Sequence, residues 1–422
     1  MDDILLKNIT LEGELKDICI AGGRIRAILP AGSAVPAPEA SETMDCTGMV
    51  AVPGFVNMHA HSPMSMMRGI GEDVIFPTWL KKIWDIEAGI DHEFIYWSSK
   101  VAAIEMIRTG TTTFNDQYWS FPSTVKAARE AGIRVATGYD IMDKGDRQTA
   151  ERQKEQCIER YELYKDGGDG HVFTMSFHAV YSVSEEMMLW ASDFARKHDL
   201  PLHIHLCETR GEVEDCKAAH GGLTPVEYLD ALGILDSRVL AAHTLWISPN
   251  DIRILGERGV NCIHNINSNT KLSSGYRFPY AELRDAGANV CIGTDGCASS
   301  NNLDMLEAMK TSAIIQKAWR DDPKAMPLDE LMAMATTNGA KALRIDTGAI
   351  KEGMLADISI VDTDSTFFLS PGPFMANFIY SAHSDCIDSL IAGGRFVMKH
   401  RVIEGEKETL HAARHVLSQI TR

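Results

Sequence analysis

Apolar positions in this chain change their period twice. From Ile4-Leu5-Leu6-Lys7-Asn8-Ile9 through Asp17-Ile18-Cys19-Ile20 to Arg24-Ile25-Arg26-Ala27-Ile28, short β-branched runs separated by Gly turns predict a small β-meander. The Pro/Ala/Gly/Ser-rich stretch from Pro30 to Ala40 predicts a loop. From Phe55 to about Leu343, eight apolar runs alternate with helical periodicity, the pattern of parallel βα units. One such helix is Glu93 to Thr109, with Ile95, Val101, Ala102, Ile104 and Ile107 as its apolar stripe. The runs end, in order, on His59, Asp116, Asp140, His178, His205, His243, His264 and Asp295. Eight units predict a closed α/β fold, a (β/α)8 TIM barrel, in which the carboxyl ends of all strands converge on one mouth. Beyond it, Gly348 to Val361 and Ser389 to Met398 return to hairpin-like strands, and Glu408 to Ile420 reads as an amphipathic closing helix. The termini, 1–54 and 348–422, are expected to pair into a small discontinuous β-sandwich domain beside a catalytic barrel spanning 55–347.

Composition narrows the partners. A chain of 422 residues that is 45% hydrophobic can fill a large core. A formal net charge of -17 and a pI near 5.3 argue against nucleic acid, whose binding needs clustered Lys and Arg, and favour a small neutral or zwitterionic substrate. Nine scattered cysteines with no Cys-x-x-Cys pair give no disulfide framework or thiolate zinc site, so a reducing cytoplasm is expected. The acidic start Met1-Asp2-Asp3 runs straight into strand pattern, and no apolar run approaches the roughly 18 residues of a membrane span. Neither export nor membrane insertion is expected.

The strand ends carry the chemistry. His59-Ala60-His61 and His205-Leu206-Cys207-Glu208 are completed by His243 and by Asp295 in a Gly-Thr-Asp-Gly turn. A catalytic divalent metal takes imidazole and carboxylate ligands with one position left for water, and three histidines plus one aspartate at successive strand ends supply that set. A hydrolase is the expected class.

These residues resemble the metal-dependent amidohydrolases, and among them the 5'-methylthioadenosine/S-adenosylhomocysteine deaminases. The resemblance runs along nearly the whole chain: Pro53-Gly54-Phe55-Val56-Asn57-Met58-His59-Ala60-His61-Ser62-Pro63-Met64, His205 to Thr209, Ala241-Ala242-His243, His264-Asn265 with Ser268-Asn269-Thr270-Lys271-Leu272, and Gly293-Thr294-Asp295-Gly296. It implies His59, His61, His205 and Asp295 as ligands of one divalent metal, zinc first, with iron or manganese suited to the same donors. Members with two metals place a bridging lysine at the end of the fourth strand, where this chain has His178. The implied reaction is hydrolytic removal of the amine at C6 of an adenine ring. Glu208 would be its general acid/base, His243 would orient or deprotonate water, and Asp295 would take the second proton. His178 and Glu208 would bracket the ring.

The resemblance also implies substrate contacts. Glu87, following Trp79-Leu80, falls where the family has a glutamate for two ribose hydroxyls, and Trp79 is expected at the same pocket. Arg147 falls where some relatives keep an arginine for the carboxylate of S-adenosylhomocysteine. Their second arginine is Thr137 here, and Ile266-Asn267 replace a common Pro-Ser, which would reshape the pocket rim. S-adenosylhomocysteine, methylthioadenosine, 5'-deoxyadenosine and adenosine are the candidate substrates, and the expected assembly is a homo-oligomer. Alternative readings are an aminohydrolase of guanine, a pterin or a triazine, since fold and metal do not fix the substrate, or a non-catalytic assembly protein. Among the other histidines, His203 is either support for the ligands or plain packing, while His198 and His220 are expected on the surface. Met64, Met66 and Met67 read as adaptable packing near the ligands, and Cys207 as filler.

Overall fold

A computed structural model describes residues 3–33 and 40–420. Met1-Asp2 and most of the loop expected between Pro30 and Ala40, residues 34–39, lie outside the described residues. Five strands open the chain: β1 (Ile4–Leu11), β2 (Glu14–Ala21), β3 (Arg24–Pro30), β4 (Glu42–Asp45) and β5 (Met49–Pro53). Eight follow as the barrel: β6 (Phe55–Ala60), β7 (Thr111–Asp116), β8 (Arg134–Ile141), β9 (His171–Phe177), β10 (Leu202–Leu206), β11 (Val239–His243), β12 (Asn261–His264) and β13 (Asn289–Ile292). Three close the chain: β14 (Ile358–Asp362), β15 (Ile387–Ala392) and β16 (Arg395–Met398).

Strands β6 to β13 pair in chain order and in parallel. The ring closes where β13 meets β6. Asp295 N–H donates to His59 O at 2.9 Å, while Asn57 accepts Thr294 N–H at 3.1 Å and donates its amide to Thr294 Oγ1 at 2.7 Å. Every residue of β6, β7, β10, β11 and β12 is buried, as expected of parallel strands covered on both faces. Val56, Met58, Ala136, Leu240, Ile263 and Cys291 form one interior cluster. Phe55, Phe114, Val135 and Phe173 join the separate cluster under the helices, where the predicted helix appears as His92–Arg108.

Strands from both ends of the chain share one mixed sheet, ordered β16-β15-β14-β5-β1-β2-β3, with β4 also against β1. Ile4, Leu6, Ile9, Ile18, Ile20, Ile358, Ile360 and Ile391 fill its core. The sheet is tied to the barrel by a buried ion pair, Arg134 Nη1 to Asp357 Oδ2 at 2.8 Å. Of the hairpin expected from Gly348 to Val361, only Ile358 onward is strand. Gly348 and Gly353 take φ 86 and 87, left-handed values that interrupt an extended run, and Leu355 makes only an isolated bridge to Arg24. The closing helix is Glu406–Ile420. No helix among the described residues is long and apolar enough to cross a membrane.

Candidate active site

The barrel mouth gathers the strand-end residues as the alternation of β structure demands. His59 and His61 flank Ala60 at the end of β6 and share one face. Asp295 comes to meet them on a turn that only small residues allow. A Cβ at Gly293 would sit 2.8 Å from the His59 backbone nitrogen, and one at Gly296 would sit 2.7 Å from Met64 Sδ and 3.1 Å from His61 Cβ. Cys207, His243 and Asp295 adopt φ 54, 76 and 62, left-handed conformations that non-glycine residues hold only where the surrounding structure enforces them.

The imidazoles are oriented from behind. His61 Nδ1 lies 2.7 Å from Gln117 O and His205 Nδ1 lies 2.9 Å from His178 O. A carbonyl only accepts, so both rings carry their hydrogen on Nδ1 and present a bare Nε2. Those two Nε2 atoms lie 3.2 Å apart, two acceptors with no hydrogen between them. Asp295 Oδ1 lies 3.4 Å from His61 Nε2 and 3.5 Å from His59 Nε2, and the latter is buried without a hydrogen-bond partner. Donor atoms of His59, His61 and Asp295 fall within 4.8 Å of one another, as do those of His59, His205 and His243. Converging lone pairs and a carboxylate in a buried pocket fit a divalent cation, and nitrogen and oxygen donors without thiolate suit zinc.

His243 stands apart from the other rings chemically. Asn269 donates its amide to His243 Nδ1 at 3.0 Å, with the Asn265 amide at 3.4 Å, so the ring proton belongs on Nε2, 3.7 Å from Glu208 Oε2. Burial pushes the His243 imidazole down to about 3 and that of His178 likewise, so both stay neutral. Burial, with Asp295 and Glu212 adding repulsion, raises Glu208 well above the usual carboxylate range. Asp295 moves the other way: burial opposes its ionisation, but a hydrogen bond from His59 and the attraction of His59, His61 and His243 in their protonated forms outweigh that cost.

These groups floor a pocket of about 400 Å³. The helix Phe76–Glu87 forms one wall with Trp79, Leu80, Ile83, Trp84 and Glu87, and exposed Trp119 and Tyr181 stand at the rim. Tyr118 Oη donates to Glu87 Oε1 at 2.7 Å, and burial raises the Glu87 carboxyl. Trp79 is buried and donates its indole N–H to Ala298 O at 3.1 Å, so it is at once wall and core.

Arg147 begins the helix Arg147–Tyr164 as an exposed residue outside the pocket lining, which holds Lys144 with its ammonium 4.3 Å from the centre of the Trp84 ring. Ile266 and Asn267 do not form the rim: Ile266 is fully buried and Asn267 donates to Glu307 at 3.2 Å. His198 and His220 stand at the surface, half-buried by packing on Tyr161 and Tyr228, with centroids 4.4 and 3.8 Å apart. His203 has the supporting place, its Nε2 2.9 Å from His59 Nδ1 and its own Nδ1 3.1 Å from the Asn115 amide. Cys207 is buried, and Met64 lines the pocket.

Sequence reasoning passed over Gln117, Tyr118, Asp140, Lys144 and Glu212. Asp140 was marked as a strand-end residue without a role; it accepts from Gln117 Nε2 at 2.8 Å and Ser176 Oγ at 2.9 Å and lines the pocket. For Glu212 the signal was Thr209-x-x-Glu212, a capping-box spacing directly after Glu208.

Comparison with known proteins agrees with this geometry. Residues 50–397 match the sequence profile of the amidohydrolase family. The chain is 40% identical over 397 residues to the 5'-deoxyadenosine deaminase of Methanoregula boonei, covering 91% of this chain and 87% of that protein. It is 37% identical to the 5-methylthioadenosine/S-adenosylhomocysteine deaminase of Pelotomaculum thermopropionicum, covering all of both. The crystal structure of an adenosine deaminase from Xanthomonas campestris with bound zinc superposes with a TM-score of 0.93 at 29% identity, covering 99% of this chain and 98% of that one.

Proposed function

The chain belongs to the amidohydrolase family, and we propose that it hydrolyses the 6-amino group of a small adenine nucleoside, releasing ammonia. The observation that carries this is the placement of one buried, readily protonated carboxyl, Glu208, beside the imidazole and carboxylate set at the floor of a nucleoside-sized pocket. His59, His61, His205 and Asp295 would hold the metal, which when bound supplies water acidified enough to act as a nucleophile near neutral pH.

The rest is the work of side chains. An aromatic ring resists attack at carbon until its neighbouring nitrogen is protonated, and a carboxyl raised by burial is the suitable donor. Glu208 gives that proton, takes up the one that water sheds as it adds to the ring, and passes it to the departing amine. His243, with hydrogen on Nε2 and too weak a base to take another, is a donor, so of the two roles expected for it orientation is favoured over deprotonation. Asp295, as a carboxylate, accepts the proton released as the tetrahedral carbon collapses, and that proton then restores Glu208. His178 and Glu208 bracket the ring, and fixed dipoles in a dry pocket act more strongly than they would in water.

Glu87 supports a ribosyl substrate. One of its oxygens is occupied by Tyr118, and the carboxylate lies on the pocket wall where hydroxyl hydrogens can reach it. The lining also holds Asp140, Met142, Lys144 and Gln153. The names of the relatives favour 5'-deoxyadenosine and methylthioadenosine, with adenosine and S-adenosylhomocysteine beside them. The test is ammonia release by zinc-loaded protein from these four compounds and from guanine. No release from any adenosyl compound overturns the proposal.

A further inference from the structure

Glu212 is buried, lies outside the lining of the catalytic pocket and carries no proton in the steps above, although its charge helps to raise Glu208. It sits in the first turn of the helix Arg210–Ala219, whose N-cap Thr209 accepts the Glu212 N–H at 3.1 Å. In a capping box a glutamate at this position returns to the N–H of the cap itself. Here the carboxylate reaches further back. Oε1 accepts the N–H of Cys207 at 2.9 Å and Oε2 accepts that of Glu208 at 2.8 Å.

The peptide so held is fixed from its other side too. Cys207 O accepts the N–H groups of Leu245 at 3.1 Å and Trp246 at 2.9 Å. Cys207 is left-handed, φ 54, a conformation that persists in a non-glycine residue only where its surroundings impose it. That turn lets His205 face the metal donors while Glu208, three residues on, faces the same pocket.

Resting on the deaminase reading above, we propose that Glu212 is a positioning residue whose carboxylate fixes the Cys207–Glu208 backbone and thereby aims Glu208 at the ring nitrogen. A capping box alone does not account for these contacts: besides facing the Thr209 N–H, the Glu212 carboxylate bonds to the two residues before the cap. Both carboxylate oxygens are taken by N–H donors. Glutamine has the same shape but would turn an NH2 against one of them, so the Glu208 backbone must shift. A displacement of about 1 Å at a reacting group costs on the order of 100-fold in rate.

The test compares Glu212→Gln, Glu212→Asp, Glu208→Gln and the double variant Glu212→Gln/Glu208→Gln, each zinc-loaded, by metal content, thermal melting and steady-state ammonia release from 5'-deoxyadenosine. Glu212→Gln is expected to retain its metal and a KM within about threefold while kcat falls on the order of 100-fold. Glu212→Asp, charged but one methylene short, should show a smaller loss in kcat with KM likewise held. In the Glu208→Gln background the glutamine at 212 should cost no more than about twofold further, because the acid it misplaces is gone. A lowered melting temperature with kcat within about twofold of wild type would overturn the proposal and leave Glu212 a structural residue. So would a full, additive loss in the double variant. If Glu212→Gln does not fold, the kcat and KM of Glu212→Asp decide by the same criteria. Full activity of Glu208→Gln alone would overturn the underlying reading of the acid, and that result is visible without any substitution at Glu212.

Discussion

The phenol of Tyr118, the second residue after β7, donates a 2.7 Å hydrogen bond to Glu87 at the end of the helix that walls the pocket. Two residues that are 31 apart in sequence thus form one acceptor site. The bond favours the charged form of Glu87 while burial opposes it, and the carboxyl still ends above its ordinary range. Loss of the phenol would raise it further.

Glu87→Ala is therefore expected to lower kcat/KM for ribosyl substrates by about 10- to 100-fold, the worth of hydrogen bonds to a charged acceptor. Tyr118→Phe should act in the same direction but more weakly, mostly through KM. Free adenine, without a sugar, should be indifferent to both. Equal losses on adenine and its nucleosides, measured side by side, would remove Glu87 from the sugar site.

Metal removal should be costly to the fold as well as to turnover. With the Nε2 atoms of His61 and His205 facing each other at 3.2 Å, only a cation satisfies both lone pairs. A site saturated at about 100 times its Kd stabilises the folded state by about 2.7 kcal/mol. Dialysis against a chelator is expected to lower the melting temperature and abolish ammonia release, and zinc should restore both. His61→Ala and His205→Ala should melt at the same temperature with and without zinc.

Much of this site was legible in the sequence because strand-end residues in a barrel have only one place to go. His59, His205, His243 and Asp295 each end an apolar run, and the closed ring of β6 to β13 brings them together whatever their separation along the chain. Arg147 was expected at the substrate from the resemblance alone; it stands exposed at the start of a helix, and the cation in the pocket lining is Lys144, which no pattern in the sequence singles out. Tyr118 and Gln117 were missed because their partners, Glu87 and Asp140, lie on other elements, and no local pattern encodes such a contact. Gly348–Val361 reads as hairpin-like strands throughout, but strand begins only at Ile358, because left-handed Gly348 and Gly353 break the extended run before it.

Glu208 must be protonated to act, and burial raises its carboxyl well above the ordinary value, so the competent form persists to higher pH than in a free glutamate. The profile of kcat/KM is expected to fall on its alkaline side as Glu208 ionises. Glu208→Gln should reduce kcat by about 100- to 10,000-fold, the range for loss of a general acid, and flatten that limb. A Glu208→Gln profile retaining the same alkaline fall assigns the limb to another group.

His264 makes a prediction about stability rather than turnover. It ends β12 fully enclosed, stacked on Phe278 with ring centroids 4.2 Å apart, and neither ring nitrogen has a hydrogen-bond partner among the described residues. Burial pushes its imidazole down to about 3. In the unfolded chain an ordinary histidine binds its proton near pH 6.5, so below that pH the unfolded state holds a proton that the folded state refuses. The stability this residue confers is therefore complete above pH 6.5 and is lost as pH falls toward 3, at up to about 1.4 kcal/mol per pH unit. His264→Leu removes the titration while keeping an apolar side chain against Phe278. Urea unfolding at pH 7 and pH 5 is expected to show the loss between them reduced by about 2 kcal/mol in the variant relative to wild type. Packing changes at the site shift both pH values equally and cancel in that difference. An unchanged difference would mean that the ring takes up its proton in the folded state, with a partner for it inside the barrel.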